Sequence, residues 1–337
     1  MGMASMRTLC GTVLAAVCAV FSCNAEVVRD IQYDSSIDRF GLGDLFLPEA
    51  GNGESAFAGA TADKRGTGSG SVPIVLTIHG GGWSSGDRAS WEGVARFFTE
   101  RLGFAAFNIE YRLASVSNRW PACGNDCVNA ARFVLSDEFK KRFSLSHDKI
   151  WICGGSAGGH LALWTLTHLP VGDVAGCVSI SAIGDPVLDY AVHAGRYKAL
   201  FGEAVRSASA PYHAGDGRAG AHPASASFAV RASRSGDMRT PSALAAMDPR
   251  KAIAPSMAPV LCTHATEDKV VPIASHKAFA DAYRNVGNVC EFFEYSATIR
   301  EGLTGHCIWI PGSKPHHLIP EIESKIAAFV RNQSQED

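Results

Sequence analysis

Five consecutive residues, Gly154-Gly155-Ser156-Ala157-Gly158, surround one hydroxyl with residues that have little or no side chain. They fit the pattern G-x-S-x-G. They lie between an apolar run that reads as a strand (residues 149–154) and a stretch that reads as a helix (residues 159–168). A strand that turns at once into a helix forces its apex residue into a strained backbone conformation. Side chains two positions before and after the apex would strike the neighbouring elements, and glycine removes that collision. The hydroxyl then projects near a helix N-terminus, whose dipole favours developing negative charge. Such a group is suited to nucleophilic attack.

A serine hydroxyl is a weak nucleophile until a base takes its proton, and a third group must hold that base. In "CTHATEDKVVP", Asp268 comes just after an apolar strand-like run and precedes Lys269-Val270-Val271-Pro272, where the chain turns into the next helix. Glu267 is its adjacent competitor. In "ATIREGLTGHCIWIPG", His306 follows Gly305 in the loop before the last helix. His316 and His317 are rivals, set against Pro315 near that helix's start. Upstream, His79-Gly80-Gly81-Gly82-Trp83 follows the run "PIVLTI". Bare backbone there leaves the N–H groups of Gly81 and Gly82 free to point at an oxyanion, with the Ala157 N–H as a third donor. His79 is expected to brace this loop and His160 to pack beside the serine. Trp83 is expected to wall the substrate pocket, with plain core packing as its alternative. The chemistry calls for no cofactor and no metal, and the cysteines show no zinc-type spacing.

These residues need a frame. Strand-like runs occupy residues 27–33, 42–47, 73–79, 104–111, 149–154, 175–181, 258–265 and 290–296. Helical patterns occupy residues 91–102, 129–139, 159–168, 275–286 and 319–332. Alternation of this kind predicts an α/β fold with a mostly parallel central sheet flanked by helices. Residues 48–71 read as an exposed Gly/Ala/Ser-rich loop. Residues 190–255, rich in Ala, Ser, Gly and Arg, break the rhythm and are expected to form an inserted lid or cap over the sheet's upper edge.

The N-terminus carries Arg7, then an apolar run from Leu9 to Phe21, then Cys23-Asn24-Ala25. This is a signal-peptide pattern, too short for a comfortable membrane span. Cleavage is expected after Ala25, leaving one domain over residues 26–337 that is secreted or periplasmic. Val20-Phe21-Ser22-Cys23 offers a rival reading, a lipid anchor on Cys23. A net charge of −2 and the lack of any basic block argue against nucleic acid as a partner. Of the cysteines beyond the signal, Cys153, Cys177 and Cys262 read as small buried hydrophobes. Cys123 and Cys127, flanking Gly-Asn-Asp, are a candidate disulfide, with Cys290 and Cys307 as a second candidate.

The motifs "HGGGW", "EYRL" (Glu110 to Leu113), "GGSAGGH", "ATEDKVVP" and Gly305-His306 together resemble the α/β-hydrolase serine esterases, in particular the hormone-sensitive-lipase-like and acetyl-esterase/feruloyl-esterase-like group. The resemblance spans most of residues 73–331. It implies the α/β-hydrolase fold, a triad on Ser156, Asp268 and His306, and an oxyanion hole on Gly81, Gly82 and Ala157. It also implies that Tyr111-Arg112 supports the oxyanion loop. The implied substrate is a small-molecule or glycan ester, acetyl groups on carbohydrates included. Two other readings remain open at this point. One is an amidase, peptidase or formamidase on the same triad; the other is a non-catalytic binding module of the same fold. The long interval between Asp268 and His306 and the Ala/Ser/Arg-rich insertion depart from the group's pattern.

Overall fold

The structure is a computed structural model that describes residues 25–49, 72–202, 239–296, 305–306 and 315–333. The signal-like segment before Ala25, Cys23 included, lies outside the described residues. So do most of the loop before β3, residues 203–238 of the insertion, and Cys307.

The strands are β1 (Glu26–Gln32), β2 (Leu42–Leu47), β3 (Ile74–Ile78), β4 (Ala105–Ile109), β5 (Ile150–Gly155), β6 (Val174–Ile180), β7 (Val260–Ala265) and β8 (Cys290–Tyr295). They form one sheet in the order β1-β2-β4-β3-β5-β6-β7-β8. β2 runs antiparallel to β1 and β4, and every other neighbouring pair is parallel. Every residue of β3, β4 and β5 is buried. That explains their unbroken apolar runs: a strand covered on both faces has no solvent side to make polar.

Alternate residues of each strand feed two cores. Leu76 and Ile78 join one layer, beneath α2 (Ala122–Leu135), α4 (Ala157–His168) and α8 (Ile273–Asn285). Val75 joins the opposite layer, beneath α1 (Arg88–Arg96) and α9 (Pro320–Gln333), with Trp91, Ile322 and Phe329. This is the α/β-hydrolase architecture. Parallel strands joined by helical crossovers bring their carboxyl ends to one edge of the sheet, and the loops at that edge meet there.

Two helix boundaries differ from the sequence reading. The single helix expected over residues 129–139 is two, α2 and α3 (Asp137–Arg142), because Ser136 is extended (φ −69°, ψ 149°) and its hydroxyl caps Phe139 N–H at 3.2 Å. The helix expected over residues 91–102 starts earlier, capped by Asp87, and widens after Arg96 into a π-helical turn over Phe97–Arg101. α5 (Pro186–His193) leads into the insertion, whose described part contains α6 (Lys198–Phe201) and α7 (Arg239–Ala246). Among the described residues, no helix is long and apolar enough to cross a membrane.

Candidate active site

Ser156 ends β5 and starts α4 with φ 58° and ψ −122°, a conformation that L-residues rarely adopt. The glycines around it are required by space. A Cβ on Gly154 would lie 2.2 Å from the Gly158 carbonyl oxygen, and one on Gly158 would lie 2.3 Å from that of Ile78. The turn is fastened by its own backbone: Ser156 N–H donates to Ile180 O at 2.8 Å, and Ser156 O accepts from His160 N–H at 3.0 Å. The Ala157 N–H opens the first turn of α4, where intrahelical acceptors are lacking.

Three side chains from three loops meet in series. His306 Nε2 is 2.8 Å from Ser156 Oγ, and His306 Nδ1 is 2.8 Å from Asp268 Oδ2. The other oxygen of Asp268 accepts from the N–H groups of Val270 (2.8 Å) and Val271 (2.9 Å). The Asp268 side chain is fully buried. Burial alone would raise its pKa, but contacts with His264 and His306, the charge of His306 and the Val271 N–H outweigh it. The carboxyl is held well below the usual carboxylate range. With the carboxylate accepting at Nδ1, the other nitrogen of His306 is presented to the Ser156 hydroxyl as an acceptor. Neither His316 nor His317 takes this place, because His306 occupies the position between Ser156 and Asp268. Glu267 instead accepts from the Ser296 hydroxyl at 2.7 Å.

The glycine loop after β3 faces this series. Register pairs Ile78 with Gly154, so the ends of β3 and β5 lie side by side. Gly81 and Gly82 have φ 118° and 58°, and their N–H groups have no acceptor among the described residues. They line a cavity of about 290 Å³ together with Ser156, His306, Trp91, Val270 and His316. His79 braces the loop from beneath. Its ring stacks on Tyr111 at 4.3 Å, and Tyr111 Oη donates to the His79 carbonyl at 3.0 Å. Arg112 is fixed in turn by Asp126, at 2.6 Å from Oδ1.

Trp83 corrects the sequence reading. It does not wall the cavity. Its left-handed φ of 62° turns it into the core, where it is fully buried against Tyr197, and its Nε1–H donates to His160 Nδ1 at 3.3 Å. Trp91, which sequence reasoning did not place at the site, and His316, which it weighed only as a rival base, line the cavity instead. His264 was read only as the end of a strand, yet its Nε2 lies 3.1 Å from Asp268 Oδ2. A histidine four residues before the acid was the available signal.

The cysteines also depart from expectation. Cys123 and Cys127 lie one turn apart inside α2 and are both free thiols, because Gly124-Asn125-Asp126 is helix and not a turn. Cys290 is a free thiol too, 3.9 Å from Cys262 Sγ. Among the described residues, no group of three His, Cys, Asp or Glu is placed to hold a metal ion.

Fold and site together define an α/β-hydrolase-fold protein with a serine elbow. Residues 64–169 match the family model described as BD-FAE. The chain is 33% identical over 110 residues to versiconal hemiacetal acetate esterase of Aspergillus parasiticus, a stretch covering 33% of this chain and 32% of that protein. It is 34% identical over 90 residues to arylacetamide deacetylase of Bos taurus, covering 26% of this chain and 22% of that one. The match thus spans about a third or less of these relatives' own length. Among solved structures, a truncated carbohydrate esterase from gut microbiota superposes with a TM-score of 0.63 at 15% identity, covering 93% of this chain and 98% of that one. The motif resemblance to α/β-hydrolase esterases is therefore met again in both sequence and fold.

Proposed function

We propose that this chain is a serine carboxylesterase, with Ser156 as nucleophile, His306 as general base and acid, and Asp268 as the group that holds His306. The observation that carries this reading is the unbroken hydrogen-bonded series from Ser156 Oγ to Asp268, at 2.8 Å for each step, beside a glycine loop whose N–H groups have no acceptor among the described residues. Ser156 Oγ attacks the ester carbonyl carbon as its proton passes to His306 Nε2. The N–H groups of Gly81, Gly82 and Ala157 receive the oxyanion. On collapse, the alcohol leaves with the proton from His306. Water then attacks the acyl-enzyme, giving a proton to His306, and the carboxylic acid departs as Ser156 recovers its own.

The proposed substrates are small carboxylic esters and acyl groups on carbohydrates. The fold shared with a carbohydrate esterase supports this, as does the signal-like N-terminus, which would send the domain of residues 26–337 outside the cytoplasm. Hydrolysis of p-nitrophenyl acetate and of acetylated oligosaccharides, each abolished in Ser156→Ala, tests the activity. Absence of turnover with both overturns it. N-terminal sequencing of the exported protein tests the processing: a start at Glu26 supports free export, and a lipid-modified Cys23 overturns it. Amide hydrolysis on the same site is a second reading, favoured by the similarity to an arylacetamide deacetylase. An aryl acetamide assayed beside the ester separates the two.

A further inference from the structure

Beside Asp268, two imidazoles are buried in the core with their rings tilted 57° to one another. His264 lies in β7, His276 in α8 and Ser179 in β6, and all three are fully buried. His264 Nε2 is 3.1 Å from the Val271 carbonyl oxygen and 3.1 Å from Asp268 Oδ2. Its Nδ1 is 3.0 Å from His276 Nδ1, and His276 Nε2 is 3.1 Å from Ser179 Oγ. Every nitrogen of the pair has a partner, as burial in an otherwise apolar layer requires.

We infer that His264 and His276 are positioning residues for the Ser156 site, a relay of neutral imidazoles whose N–H groups are all directed towards Asp268 and hold its carboxylate where it receives His306. This rests on the ester-hydrolase reading of the site. The direction follows from what each atom can do. A carbonyl and a carboxylate both face His264 Nε2, and both only accept, so that nitrogen carries the proton. In a neutral ring its Nδ1 is then an acceptor, and His276 Nδ1 must donate to it. His276 Nε2 accepts in turn from the Ser179 hydroxyl at 3.1 Å, which is nearer than that hydroxyl's other acceptor, the Gly159 carbonyl, at 3.4 Å. Burial, followed by the nearby His264, pushes the His276 pKa well down, in keeping with a neutral ring. The result surrounds the carboxylate with donors: Val270 and Val271 N–H on Oδ1, and His306 with His264 on Oδ2. An acid satisfied on both oxygens cannot rotate away when His306 becomes positive during turnover. Other charged or titratable groups reach this region from α5 and the residues just after it. Asp189 and His193 of α5 both feel the Asp268 charge, and Arg196 donates to the Val270 carbonyl.

Histidine-selective ¹⁵N NMR on the full chain at pH 7 tests the direction of the relay. A neutral Nε2–H tautomer at His264 with a neutral Nδ1–H tautomer at His276 is expected. An imidazolium at His264, or a proton on His276 Nε2, reverses the donors and overturns the inference. Kinetics test the positioning. His264→Leu should lower kcat for p-nitrophenyl acetate about tenfold, the effect of one hydrogen bond to a charged group, and leave KM within about twofold. The acid limb of kcat/KM should also move to higher pH, because the Asp268 carboxylate has lost a donor. His264→Gln, whose amide N–H reaches the place of Nε2, should restore most of both. A folded His264→Leu protein with wild-type kcat and acid limb overturns the inference; if that variant fails to fold, the tautomers decide. Should wild type and Ser156→Ala be equally inert towards the ester, the ester-hydrolase reading fails, and the NMR result still stands by itself.

Discussion

His306 Nε2 stands 2.8 Å from Ser156 Oγ across 150 residues of chain. A hydroxyl and an imidazole so placed act as one unit, and neither retains its role without the other. Ser156→Ala and His306→Ala should each lower kcat by roughly 10⁵-fold or more, and the double variant should be no worse than either. Steady-state kinetics on a short ester measure this. Losses that multiply in the double variant would mean that the two side chains work independently.

Asp268 contributes orientation and charge. Its carboxyl is kept ionised far below neutrality although burial opposes this, because His264, His306 and Val271 N–H stabilise the anion. The stability linked to this ionisation is present above the ordinary carboxylate pKa and is lost only as the pH falls through the depressed one. Asp268 should therefore stay ionised over the range where esterases are assayed. Asp268→Asn keeps the shape but offers an N–H where His306 needs an acceptor, and should lower kcat about 10⁴-fold. A pH–rate profile of both proteins checks this.

The glycine loop gives a paired test. Gly81 has φ 118°, and a Cβ there would lie 2.1 Å from the Ser85 carbonyl oxygen. Gly82 has φ 58°, with nothing within 4 Å of its Cβ position. Gly82→Ala meets only left-handed strain, about 1–2 kcal/mol, and should fold with a modest fall in Tm. Gly81→Ala must move backbone, re-aiming an N–H at the cavity, and should lose kcat by about 10²-fold or more. Equal losses in the two variants would show that the backbone shift forced at Gly81 does not govern the loop.

Much of this frame was legible before any coordinates. Eight strand-like runs became eight strands, most plainly in the central parallel strands, which have no polar face to blur them. The glycines around Ser156 were legible because only a missing Cβ explains them. Trp83 was not: an aromatic beside a bare loop can turn either way, and its left-handed backbone, invisible in residue types, decides for the core. The break at Ser136 was missed because a capping hydroxyl outweighed a continuous helical pattern. His264 escaped notice because its contact with Asp268 depends on how tightly the chain turns after β7.

His160 links the site's scaffold to the insertion and makes that link sensitive to acid. Its Nδ1 accepts from Trp83 Nε1–H at 3.3 Å, and its Nε2–H donates to the Met247 carbonyl at 2.8 Å, just beyond α7. Burial lowers its pKa from 6.5 to about 4, only partly opposed by the Met247 bond. Between those values the unfolded chain takes up a proton that the native ring refuses. Stability linked to His160 is thus fully present above about 6.5 and lost as the pH falls towards about 4. From pH 7 to pH 5 the loss is about 2 kcal/mol. His160→Gln keeps an amide donor without a titrating ring. It should be less stable than wild type at pH 7 yet lose about 2 kcal/mol less on acidification. Urea midpoints for the two proteins at pH 7 and pH 5 give the comparison. Equal losses would place the acid sensitivity elsewhere, with His276 the next buried imidazole to replace.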